Sequence, residues 1–189
     1  EIQARIGAAQ RPSARRSGAV AVLPLHGPLS QRMNMMTAVS GGTSTEMFGK
    51  QFRAVMAEPG IGSVIIEIDS PGGLVAGVDE LATEIFKARG TKPIIAQVNS
   101  QMASAAFWIG AAADEIVVTP GGEVGSVGVF GMHMDFSEAD KKAGIKTTLI
   151  SAGKFKTEGN QFEPLSDEAR AAFQRRIDEV YGMFVASLA

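Results

Sequence analysis

The chain has 189 residues, 45% of them hydrophobic, which is enough to bury a core as one domain. Its formal net charge of −2 lacks the basic surplus of a nucleic-acid binder, so no nucleic-acid partner is expected. With no cysteine, a thiol nucleophile, a disulfide framework and thiolate metal sites are excluded together.

Residues 1–18 are basic and punctuated by Pro, Ser and Gly, and they read as a flexible arm or linker. Residues 19–189 read as a single α/β domain. Ala19–Leu25 suits a buried strand, and residues 27–44 form a polar connection carrying Met33, Met35 and Met36. Those methionines suit an adaptable apolar surface or core filling. Thr45–Ala57 is predicted helical, with Met47, Phe48, Phe52, Val55 and Met56 on one face and Thr43 or Ser44 as cap.

Ser63–Asp69 is predicted as a strand ending in Ser-Pro-Gly-Gly, and Leu74–Arg89 as a helix closed by Gly90. Pro93–Asn99 reads as a strand, Ala103–Ala113 as a helix of small residues, and Glu115–Thr119 as a strand. A glycine-dense segment follows. Ser137–Ala143 is predicted helical, Lys146–Ser151 extended, and Ser166–Leu188 a long helix with Ser166 as N-cap. The alternation implies a mostly parallel sheet with crossover helices. No run is long and apolar enough to span a bilayer, so no membrane anchor is expected within this chain. No charged-then-apolar leader opens it, and a start without Met with an end inside a helical pattern suggests a fragment.

Three segments carry candidate chemistry. In IDSPGGLVAG a strand meets two glycines before a helix, a geometry that turns backbone N–H groups toward an anion. In NSQMASAAFWIG, Ser104 stands at the start of a helix among Ala103, Ala105 and Ala106, which let a substrate approach closely. By residue type alone, Ser104 reads more readily as a helix cap or a small buried residue than as a nucleophile. A serine nucleophile needs a base. The chain has two histidines, His26 and His133, in no recognisable metal-ligand spacing, so no metal or other cofactor is expected. Lysine is the other base used with serine. Lys154 and Lys156 flank Phe155 in a loop before the last helix. Such a lysine acts only when neutral, which requires its pKa to fall from about 10.4 to about 7–8.

Taken in order, SPGG at Ser70–Gly73, MASAAFWIG around Ser104, EVGSVGV at Glu123–Val129 and GKFKT at Gly153–Thr157 resemble the signal peptide peptidase A (protease IV) family. The likeness covers about residues 19–189 and is strongest to its phage capsid-maturation branch. It implies a Clp-protease/crotonase-like α/β fold of repeated strand–helix units. It also implies a Ser–Lys dyad of Ser104 as nucleophile and Lys156 as general base. The family's oxyanion hole maps onto the backbone N–H groups of Gly73 and Ala105, with Gly72 as a further donor.

The resemblance further implies a serine endopeptidase that cleaves capsid or scaffold proteins during phage head assembly. Its expected location is the host cytoplasm or the prohead, and its expected state is a homo-oligomeric ring or dome. Other readings stay open: a signal-peptide-degrading peptidase, a crotonase-like acyl-CoA enzyme using the same oxyanion hole, and an inactive assembly subunit. A Ser–His arrangement through His133 is a rival within the protease reading, although no acid partner is identifiable for it.

Overall fold

The computed structural model describes residues 15–32 and 41–189. The chain divides into two compact units, residues 1–128 with 183–189, and residues 129–182.

The first unit is built on a mostly parallel sheet. β2 (Val20–His26), β5 (Ser63–Ser70), β6 (Ile94–Ala103) and β7 (Glu115–Val118) lie side by side in that order and pair in parallel. β8 (Glu123–Gly125) pairs in parallel with the last three residues of β6. β1 (Arg15–Ser17) adds an antiparallel edge to β2. The boundary expected after residue 18 is therefore too late, because residues 15–17 belong to the sheet. The remainder of the expected arm, and Met33, Met35 and Met36, lie outside the described residues.

Between the strands run α1 (Thr45–Ala57), α2 (Val78–Ala88) and α3 (Ala105–Gly110). Burial alternates along β5, where Val64, Ile66, Ile68 and Ser70 are buried while Ser63, Ile65 and Glu67 are half-exposed. That period of two gives the sheet one fully buried face. The core is built from Leu23, Leu25, Ile66, Ile68, Ile94 and Val98 of the strands with Phe48, Phe52, Leu81, Ile85 and Ile109 of the helices. A two-stranded parallel ladder, β3 (Leu29–Ser30) with β4 (Thr43–Ser44), stands beside this sheet.

α1 starts and ends where the sequence places it. Ser44 is its cap, and its hydroxyl accepts a hydrogen bond from Met47 N–H at 3.2 Å. Lys92 Nζ closes the other end, donating to Val55 O and Glu58 O. α2 begins four residues later than its apolar spacing suggests, and Leu74 is 66% exposed. Long-range pairing explains the delay. Gly73 bridges Leu29 in parallel, Leu74 N–H donates to Leu29 O, and Gly77 turns the chain with φ +82 before the helix starts.

The second unit carries α4 (Ser137–Lys142) and most of α5 (Asp167–Leu188), whose last residues from Met183 count with the first unit. Ser166 caps α5 through a bond from Ala169 N–H at 3.1 Å. Lys146–Ser151 is not a strand. Its β-branched residues Thr147, Thr148 and Ile150 have no neighbouring strand among the described residues to supply a ladder, and Ile150 and Leu149 stay exposed.

Candidate active site

β6 does not stop at Asn99. It continues to Ala103, across a register irregularity against β5 and in pairing with β8, and α3 starts at Ala105. Ser104 is the single residue of the junction, with φ 51 and ψ −122. A non-glycine residue at positive φ costs roughly 1–3 kcal/mol and persists only where its surroundings hold it. Here the holding contacts are backbone hydrogen bonds: Ser104 N–H donates to Gly125 O at 2.8 Å, and Ser104 O accepts from Trp108 N–H at 3.0 Å. The partly exposed Ser104 occupies the cap position of α3, yet its hydroxyl caps nothing and makes no hydrogen bond among the described residues. A serine placed there as a cap would spend its oxygen on the helix.

The Ser70–Gly73 turn lies directly against this junction. A methyl group added at Gly72, where φ is +93, would sit 2.8 Å from Ala103 O and Ser104 Cβ, and 2.9 Å from Ala105 N. At Gly73 it would overlap the backbone of Leu29. Fully buried Ser70 latches the turn, its hydroxyl donating to Gly27 O at 2.7 Å and accepting from Gly72 N–H at 3.1 Å.

The three expected oxyanion donors are therefore not equivalent. Gly72 N–H is taken by Ser70. Gly73 N–H makes no hydrogen bond among the described residues, and Ala105 N–H, in the first turn of α3, has no helical carbonyl to bond.

Two expected outcomes follow from these contacts. Gly72→Ala should cost about 10²–10³-fold in turnover, the loss expected when an oxyanion donor is displaced. Its folded state should persist by circular dichroism, and unchanged turnover would mean the turn is not part of the site. Ser70→Ala strands the buried Gly72 N–H and Gly27 carbonyl, so stability should fall by about 1–3 kcal/mol in urea titration.

The remaining candidates belong to other surroundings. His26, at the end of β2, has Nε2 3.8 Å from Glu67 Oε2, and its backbone N–H bonds Thr43 Oγ1 at 3.0 Å. In the second unit, Lys154 pairs with Glu168 at 3.4 Å and lies 4.5 Å over the Phe155 ring. Exposed Lys156 makes no ion pair or side-chain hydrogen bond among the described residues. His133 Nε2 bonds Asn160 O at 2.8 Å. Asp135, two residues on, takes the backbone N–H of Ser137 at 2.8 Å, and the Ser137 side chain and N–H hold its carboxyl below the usual range.

Sequence reasoning missed three features: the Ser70 latch, the carbonyl of Gly125 on Ser104 N–H, and Ser126, the other non-glycine residue at positive φ (57) among the described residues. The glycine-dense run around Ser126 was the only local signal of the last two. Trp108, one turn into α3, is buried and stacks on Phe184 at 4.7 Å.

The family model described as Peptidase family S49 matches residues 87–189, more than half of the chain and including the Ser104 junction. The chain belongs to peptidase family S49. Among curated members and relatives, it is 36% identical over 170 residues to the head-tail preconnector protein GP5 of Enterobacteria phage P21, covering 90% of this chain and 34% of that protein. It is 33% identical over 165 residues to the capsid assembly protease C of Escherichia phage lambda, covering 87% and 38% respectively. The chain thus spans little more than a third of these relatives. Among solved structures, an enoyl-CoA hydratase from Polaromonas sp. JS666 matches with a TM-score of 0.50 at 15% identity, over 93% of this chain and 80% of that one. The S49 chain therefore has the Clp-protease/crotonase type of α/β fold.

Proposed function

We propose that this S49 chain carries a serine endopeptidase site in which Ser104 is the nucleophile and Lys156 the general base. The observation that carries the reading is the strained Ser104 backbone at a strand–helix junction, its hydroxyl unused and the Gly72–Gly73 turn packed against it. Positions of this kind expose a nucleophile while placing backbone donors beside it. In the proposed reaction, neutral Lys156 takes the Ser104 proton as Oγ attacks the scissile carbonyl. The Gly73 and Ala105 N–H groups receive the developing oxyanion. Lysine then returns the proton to the leaving amine, and water hydrolyses the acyl-enzyme by the same steps.

Lys156 supports the base role better than Lys154 because Lys154 is already occupied by Glu168 and the Phe155 ring. His133 is less suited than either, its Nε2 being engaged by a backbone carbonyl. The acyl-CoA reading needs no nucleophilic serine and leaves the strain at Ser104 without a purpose.

The names of the phage relatives favour a protein of an assembling capsid as substrate, in the host cytoplasm or the prohead. Among the described residues no helix is long and apolar enough to cross a membrane. A homo-oligomer is part of the same reading, since Lys156 must leave water to act as a neutral base, and packing between subunits would exclude it. The test is incubation with candidate capsid and scaffold proteins, comparing the native chain with Ser104→Ala and mapping cut sites by mass spectrometry. Cuts made equally by both proteins would refute the proposal.

A further inference from the structure

We infer that Arg89 is a positioning residue for the Ser104 site, a clamp that holds the far end of the nucleophile helix. The inference rests on the Ser104 reading above and adds how its geometry is maintained from a distance. Arg89 is the C-cap residue of α2. Its Nε donates to Ala112 O at 2.9 Å, while Nη2 donates to Ala111 O at 2.9 Å and also to Ala113 O. The guanidinium is seated on the Phe86 ring, 4.5 Å from its centroid. One planar fork thus gathers the three consecutive carbonyls at the exit of α3.

Those carbonyls matter because α3 has only six residues. A helix of that length spans about 9 Å and makes too few internal bonds to fix its own position. Its two ends are held from outside. At the start, Ser104 N–H is bound by Gly125 O. At the exit, the holding group is Arg89. The same residue terminates α2, the helix entered through the Ser70–Gly73 turn, and α2 packs against α3.

A single side chain therefore joins the exits of two helices, one reached through the Ser70–Gly77 connection that carries Gly73, the other starting at Ala105 directly after Ser104. Any slip of α3 along its axis moves the Ala105 N–H against the Gly73 N–H, and oxyanion donors work only within a few tenths of an ångström. Lysine could restore the charge but not the three-carbonyl fork.

Lys92 provides the comparison. Its Nζ caps the end of α1 by donating to Val55 O at 3.1 Å and Glu58 O at 2.7 Å, and α1 carries no residue of the site. The experiment measures the rate at which a serine-directed phosphonate labels Ser104 in the native chain, Arg89→Ala, Arg89→Lys and Lys92→Ala. Each is assayed at a temperature where circular dichroism shows it folded. Arg89→Ala should label about tenfold more slowly or worse, and Arg89→Lys at an intermediate rate. Lys92→Ala should label at the native rate even though its melting temperature falls. Native-rate labelling of folded Arg89→Ala overturns the inference, as does equal slowing by Lys92→Ala, which would reduce both to general loosening. If Arg89→Ala does not fold, Arg89→Lys decides, with a native rate again overturning it. A native chain left unlabelled at Ser104 defeats the Ser104 reading itself and takes the clamp with it, which is a distinct outcome.

Discussion

Ser104→Ala should abolish proteolysis while the protein remains folded. Alanine removes one oxygen from a half-exposed side chain that makes no hydrogen bond among the described residues, and it inherits the same positive-φ backbone. The change in stability should therefore stay within about 0.5 kcal/mol. Turnover should fall by a factor on the order of 10⁶, as when the serine of a catalytic unit is deleted, because the partner base is then left with nothing to activate. Cleavage is to be followed on a protein substrate with contaminating proteases excluded, and stability by urea titration. Residual activity near the native level would remove Ser104 from the mechanism.

Lys156→Ala should be nearly as severe, since nucleophile and base act as a unit and their losses do not add. Lys154→Ala should cost far less. Its ammonium serves an exposed pairing with Glu168, which contributes at most about 1 kcal/mol. A fatal Lys154→Ala beside a mild Lys156→Ala would move the base by two residues. A fatal His133→Ala, with both lysine variants active, would replace the dyad with a histidine mechanism.

What the sequence disclosed and what it hid divide along local and long-range causes. α1 was legible because its cap Ser44 and its buried Phe48 and Phe52 are all local signals. The parallel order of β2, β5 and β6 follows from apolar strands separated by helices. The end of β6 was not legible. Asn99–Gln101 look like a turn, and only long-range pairing, of Met102 with Ser70 of β5 and of Gln101–Ala103 with β8, keeps the end of the strand extended to Ala103. The start of α2 was misplaced for a similar reason, since the helical spacing of Leu74 and Val78 is overridden by the bridge from Leu29 to Gly73.

The site shows the same split. Ser104 stands out as a candidate through the ordered motifs that resemble the family, whereas its small neighbours alone fit a helix cap as well. The Ser70 latch, the Gly125 carbonyl on Ser104 N–H and the Arg89 fork could not be read from the sequence, because each joins residues that only folding brings together.

The measurement that bears most directly on the central claim is covalent labelling by a serine-directed phosphonate, followed by peptide mapping in the mass spectrometer. The account predicts one adduct, on the peptide containing Ser104, formed in the native chain, absent from Ser104→Ala and strongly slowed in Lys156→Ala. An adduct on a different serine, or unreactive native protein that cleaves a capsid-type substrate all the same, would contradict it.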